Sequence, residues 1–174
     1  PDPRYPELMA KSESFDVTTG VDLQEVDNAI NQARKELTNR FDFKNVVLEI
    51  NYDREAGKIG IHTADDFKLE SVWQSLSQRL AARNVPLKNM QRGKMEEASG
   101  GTVRQEITIV QAIDSETARK IVKHLKDQKL KKIQSSIQGD TVRISGPSRN
   151  DLQDVIHMLK SEDWGIELKF GNYR

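Results

Sequence analysis

The sequence contains no cysteine. This excludes disulfides, thiolate nucleophiles and cysteine-bound zinc or iron–sulfur centres, and it fits a reducing compartment. Long apolar runs are missing too. No stretch approaches the roughly 18 residues of a membrane span, and no signal-peptide pattern precedes the first helical segment, so the chain is expected in the cytoplasm with no membrane partner. Nor is there an excess of either charge. The 27 basic and 27 acidic residues cancel, so no global field draws the chain to nucleic acid, and any charge argument must be local.

Enzymatic motifs are lacking as well. Gly100-Gly101 runs into Thr102-Val103 instead of a Lys-Ser pair, and no G-x-G-x-x-G occurs, which removes the common phosphate-cradling loops. His62, His124 and His157 fall on three different predicted elements, with no carboxylate spacing that suggests a metal or a catalytic relay. They read as surface histidines, and neither metal nor cofactor is expected. No nucleophile, base and orienting group stand at a required spacing, so the chain reads as a binding protein and not an enzyme.

What is present is a clear alternation of strand and helix patterns. With 174 residues and 36% hydrophobic content, the chain is long enough for two small domains with modest cores. Pro1 to Leu8 hold three of the five prolines, show no periodicity and precede Met9-Ala10-Lys11, which reads as a natural start. Residues 1–8 are therefore expected to be a remnant without structure. Phe15 to Thr18 alternates like a half-buried strand. Asp22 and Glu25 form a capping box for a helix whose stripe is Leu23, Val26, Ile30, Ala33 and Leu37. Residues 46–63 read as a hairpin turning at Arg54 to Gly57. A helix from about Asp65 carries Leu69, Val72, Trp73, Leu76 and Leu80, and Val85-Pro86-Leu87 is expected to close the sheet.

After a polar stretch from Gly93 to Gly101, read as a linker or long hairpin arm, the order repeats. Gln105 to Val110 is a strand, Asp114 opens a helix, Ile133–Ile137 pairs with Val142–Ile144, Ser148 caps another helix, and Ile166–Phe170 closes. Phe15, Val17, Asp22 and Val26 match Ile107, Ile109, Asp114 and Ala118 at a spacing of 92, while Ile59, Ile61, Leu69 and Val72 match Val142, Ile144, Leu152 and Val155 at 83. The pattern predicts an α+β fold: tandem ferredoxin-like or RNA-recognition-like βαββαβ sandwiches, each an antiparallel four-stranded sheet with two helices on one face. The expected domains are 11–92 and 93–174. Exchange of the first strand between the duplicated units is an open alternative.

Candidate contacts are local. Arg40, Phe41 and Phe43 gather cation and aromatics at a helix end, and Tyr173 and Arg174 do so at the end of the sequence; each set suits a base and a phosphate, or equally the filling of a core edge. Arg104 and Gln105 lie on a strand, and Ser148 and Arg149 at a helix N-terminus where free amides suit an anion. Arg143, on the open sheet face, is the favoured single contact, its guanidinium able to stack on a purine or fork onto phosphate. Residues 13–70 hold 13 acids and 7 bases, whereas 119–132 hold 7 bases and 1 acid. Lys123, Lys126, Lys129, Lys131 and Lys132 form a patch that suits RNA phosphates, or equally a helix C-terminus. The outward strand positions Lys58, Gly60, His62, Thr141, Arg143 and Ser145 offer no aromatic platform.

The strings Ser14-Phe15-Asp16-Val17, Asn39-Arg40-Phe41-Asp42-Phe43-Lys44, Val103-Arg104-Gln105, Val142-Arg143-Ile144, Ser148 to Ile156 and Asn172-Tyr173-Arg174 resemble the YajQ family of small bacterial proteins, in the same order, over about residues 11–174. The resemblance implies tandem ferredoxin-like domains and nucleotide binding without catalysis, with cyclic di-GMP as ligand in some members. It leads to three competing expectations. One is a cyclic di-GMP-responsive effector acting on a protein partner such as a transcription regulator. The others are an RNA-binding protein and a protein–protein scaffold. Gly146-Pro147 departs from the small residue and lysine frequent in the family, which removes one cation from that corner.

Overall fold

A computed structural model describes residues 12–130 and 132–174. The expected remnant at residues 1–8 lies outside them. The elements are β1 (Glu13–Thr18), α1 (Leu23–Thr38), β2 (Leu48–Asp53), β3 (Lys58–Thr63), α2 (Asp66–Ala82), β4 (Met90–Arg92), β5 (Glu96–Glu97), β6 (Val103–Ile109), α3 (Ser115–Asp127), β7 (Gln134–Gln138), β8 (Thr141–Gly146), α4 (Arg149–Lys160) and β9 (Lys169–Gly171). The architecture is α+β, two antiparallel sheets each with a helix pair, as the patterning predicts.

Helix starts follow from local chemistry. Asp22 accepts from the Gln24 and Glu25 amides, Asp65 from Lys68, Asp114 from Thr117 and Ser148 from Asp151, so each helix has at least one of its orphan N–H groups satisfied by a side chain. Asp22 and Asp114 are 92 residues apart, and Asp65 and Ser148 are 83 apart, the two spacings of the repeat.

The chain forms two compact units, and they are not the contiguous halves 11–92 and 93–174. A central unit comprises Val21–Gln111; a C-terminal unit joins Ala112–Arg174 to the described residues up to Gly20. The reason lies in strand pairing. β1 runs antiparallel between β8 and β9, giving the order β7-β8-β1-β9. β6 fills the matching slot of the central sheet, β2-β3-β6-β4, with β5 added on its edge. Each unit thus receives its second central strand from the other repeat. The stretch after Gly93 is accordingly a short hairpin arm against β6.

Register shifts the repeat in one place. Val17 pairs with Val142 and Phe15 with Ile144, whereas Ile107 pairs with Ile59 and Gln105 with Ile61. Gln105 therefore holds the position that Phe15 holds in the other sheet, so the strands correspond at 90 and the helix caps at 92. The intervening loop absorbs two residues. The expected closing strand at 85–87 is also displaced. Leu87–Asn89 form a 3₁₀ turn and the strand follows at Met90–Arg92, with Asn89 donating its side-chain amide to the Val110 carbonyl at 2.9 Å.

The central core is built from Ile30, Leu37, Ile59, Ile61, Leu69, Leu76, Leu80 and Ile107, all essentially inaccessible. Phe15, Val17, Ile121, Val142, Ile144, Val155 and Leu159 do the same in the C-terminal unit. Each such side chain contributes about 1.5–3 kcal/mol by leaving water. Strand residues of the opposite parity face away from the helices, leaving one polar sheet face per unit.

Candidate functional site

In the C-terminal unit, the alternation that buries Phe15 and Val17 turns Asp16 to the open face, directly across from Arg143. Arg143 Nε donates to Asp16 Oδ1 at 3.0 Å, and Asn172 Nδ2 donates to Oδ2 at 2.6 Å. The hydrogen bond from Arg143 holds the Asp16 carboxyl below its ordinary range, against the opposing effect of burial. The residue expected to be the principal free contact is thus tied to an acid that lies 127 positions away in sequence.

A second group assembles at the β1 end of the same sheet. Arg174 and Ser14 exchange backbone hydrogen bonds of 3.0 and 3.1 Å, which prolongs the pairing of β9 with β1. Asn172, at φ 52, makes the left-handed bend that precedes it. Tyr173 then stands with its ring 6.1 Å from that of Phe15 and remains 60% exposed. The N-terminus of α4 brings Arg149 alongside, its side chain 83% exposed and 3.9 Å from Glu13. Ser148 is committed to the cap through the Asp151 amide at 3.2 Å. Glu13, Ser14, Arg149, Gln153, Tyr173 and Arg174 border a groove of about 480 Å³ floored by Leu152. Of the predicted contacts, Arg149, Tyr173 and Arg174 converge here. Ser14, Gln153 and the acidic wall Glu13 were not foreseen, since nothing in their local sequence distinguishes them.

The remaining candidates lie in the central unit. Phe43 is buried, with Arg40 5.4 Å and Lys68 5.0 Å from its ring centre. Arg40 forks onto Asp42 through Nε at 3.0 Å and Nη2 at 2.8 Å. That bond lowers the Asp42 pKa and raises that of Arg40. Phe43 is therefore a core plug, and only Phe41, 89% exposed, is presented to solvent. Gln105 is buried, accepting from Arg92 Nε at 3.0 Å and donating to the Gly93 carbonyl at 2.9 Å; it fastens β4 to β6. Arg104 lies on the open sheet face opposite His62, beside Glu106, Thr108, Asn51 and Gly60 in a groove of about 400 Å³. His62 is not a solvated histidine. Only 15% of its side chain is exposed, and its ring nitrogens contact Glu49 at 3.2 Å and Thr102 at 2.9 Å.

Lys123, Lys126, Lys129 and Lys132 are exposed on and after the last turns of α3. Lys131 lies outside the described residues. Among the described residues neither sheet presents an aromatic on its open face, so stacking of the RNA-recognition kind has no platform there. Among the described residues no cluster of three His, Asp or Glu side chains suits a metal ion, and no helix is long and apolar enough to cross a membrane.

The chain is similar to curated bacterial proteins over nearly its whole length. It is 49% identical over 161 residues to a nucleotide-binding protein of Koribacter versatilis, covering 92% of this chain and 96% of that one. Identity to a nucleotide-binding protein of Desulfitobacterium hafniense is 47% over 166 residues, covering 95% and 100%. A nucleotide-binding protein of Trichlorobacter lovleyi is 46% identical over 161 residues, covering 92% and 98%. The family model described as nucleotide-binding protein YajQ-like matches residues 13–174, and the chain belongs to that family.

Proposed function

We propose that this chain binds a guanine nucleotide, with cyclic di-GMP as the first candidate, in the groove between α4 and the paired ends of β1 and β9, and that it relays occupancy to a protein partner without catalysis. The observation that carries this reading is the convergence of Arg149, Arg174 and the exposed Tyr173 ring around one groove. Its volume of about 480 Å³ suits a small ligand. A base stacks on Tyr173, two guanidiniums meet phosphate, and Ser14 and Gln153 supply polar edges. The N-terminal end of α4 adds a favourable dipole for the anion. Arg143 supports the site through Asp16 and Asn172, which fix the bend leading to Tyr173. Similarity to relatives whose names say nucleotide binding supports the ligand class.

Calorimetric titration with cyclic di-GMP, GMP and a short single-stranded RNA at two salt concentrations tests the proposal. Saturable dinucleotide binding that Arg149→Ala and Tyr173→Ala each weaken by about tenfold, with Arg104→Ala unchanged, is the expected result. Absence of dinucleotide heat, or loss with Arg104→Ala alone, would overturn it. Salt-sensitive binding of RNA alone would instead favour the lysines that follow α3, the feature that supports an RNA-binding reading.

A further inference from the structure

We propose that the free edge of β7 is a docking site for an extended acidic segment of a partner protein, which joins the C-terminal sheet as a fifth strand. This goes beyond the nucleotide reading and uses the edge opposite β9. The turn at Gly139-Asp140, with Gly139 at φ 64, closes Gln138 against Thr141. A two-residue hairpin makes that closing pair hydrogen-bonded. Antiparallel alternation then turns the backbone groups of Ser135 and Ile137 away from β8 and out along the edge. An edge left in this state is a template for another strand.

The central unit has the same edge and caps it at one carbonyl. Arg34 on α1 donates Nε to the Ile50 carbonyl of β2 at 3.1 Å, with a second contact from Nη2. The helix spacing of 92 makes Lys126 the counterpart of Arg34. Ile50 pairs with Ile61 and Ser135 with Ile144, so Ser135 is the counterpart of Ile50. The Lys126 side chain makes no hydrogen bond or ion pair with any described residue, and among the described residues no side chain caps the Ser135 edge in this way. A cleft of about 480 Å³ lies there between α3 and β7. Leu125, Leu130 and Ile133 give it an apolar floor, and Lys126 and Lys129 a cationic rim. Ile137 adds a 43% exposed side chain at the far end.

Strand addition draws affinity from main-chain hydrogen bonds and specificity from pockets that take alternate side chains. Here the pockets are apolar and the rim is positive, and Asp127 is the single acid among residues 119–132. The matching occupant is a segment alternating apolar and acidic residues, not a polyanion without hydrogen-bonding amides.

The probe is a synthetic peptide of about eight residues alternating valine and glutamate, titrated into the full chain without nucleotide. Backbone amide shifts and fluorescence anisotropy report binding. Expected are shifts confined to β7 and the end of α3, abolished when alternate peptide amides are N-methylated. Ser135→Pro should weaken binding by at least about tenfold. Lys126→Arg keeps the charge but supplies the capping group that Arg34 supplies in the central unit, and is expected to weaken binding severalfold. It also serves as the conservative variant if Ser135→Pro perturbs folding. The proposal fails if β7 amides do not shift at about 1 mM peptide, or if a valine–lysine peptide binds equally well. It also fails if Lys126→Arg has no effect, if an oligouridylate displaces the peptide, or if sedimentation shows the edge already paired with a second copy.

Discussion

The central and C-terminal units share strand order, helix pairing and capping positions, yet they finish their surfaces differently. The central unit commits most of its arginines internally: Arg79 to Glu36 at 2.9 Å, Arg83 to Glu25 at 3.0 Å, Arg40 to Asp42, Arg92 to Glu70 with its guanidinium over Trp73, and Arg34 to a strand carbonyl, with Arg104 left on the open face. In the C-terminal unit Arg143 is held by Asp16, but Arg149, Arg174, Lys126 and Lys129 are left to solvent or to loose contacts. A duplicated scaffold can thus tie up the cations of one copy and leave those of the other available. Exposed pairs are worth little individually, so the difference matters more for what each surface can bind than for how firmly each unit folds.

The sharpest way to break the comparison is through the crossed strands. Ile107→Ala should destabilise the central unit by about 2–5 kcal/mol and Phe15→Ala the C-terminal unit by about 3–5 kcal/mol, because both side chains are fully buried. Hydrogen exchange read separately in α1–α2 and α3–α4 checks this; loosening of α1 by Phe15→Ala would contradict the pairing. Next in size is Gly93→Ala. A Cβ there would stand 2.9 Å from the Glu106 carbonyl oxygen, forcing β4 from β6 at a cost of about 1–3 kcal/mol. Gly60→Ala meets nothing within 4 Å and should stay within about 0.5 kcal/mol in thermal melts.

Smaller still, Asp65→Ala and Ser148→Ala remove equivalent caps from the two units and should each cost about 1 kcal/mol. Helix amide exchange in the respective unit checks it. The smallest effect is acid sensitivity. Carboxylates held below their ordinary range contribute fully above the unfolded pKa of about 4 and lose that contribution as pH falls through the folded value. Hydrogen bonds from Arg79, Arg92 and Arg40 lower Glu36, Glu70 and Asp42 in the central unit, and those from Arg143 and from the Thr117 backbone amide lower Asp16 and Asp114 in the other. Denaturant titrations between pH 7 and 3 should show the central unit losing more stability. Asp16→Asn should partly flatten the profile of the C-terminal unit alone, the Asp114 cap keeping the remainder.

Helices, their caps and both hairpins were legible because they depend on residues three or four positions apart or on alternation. The short closing strand was misplaced because Val85-Pro86-Leu87 has the right composition but enters a 3₁₀ turn, and Met90-Gln91-Arg92 gives almost no pattern. At the site, residue type pointed to arginines and aromatics but not to their environment. Phe41 and Phe43 look alike in sequence, and only one faces solvent. Gln105 reads as a polar surface residue, yet it takes the place of a buried phenylalanine.

The sequence by itself determined the α+β class, the duplication, the capped helices and the family to which the chain belongs, because these rest on local periodicity and on strings of residues. Tertiary structure alone decided which sheet each first strand enters, that Arg143 is held by Asp16, that Arg149, Tyr173 and Arg174 share one groove, and that one of two equivalent sheet edges carries an arginine cap. Those outcomes depend on strand register and on partners tens to more than a hundred residues apart. A strand's alternation specifies two faces but not the neighbour it will pair with.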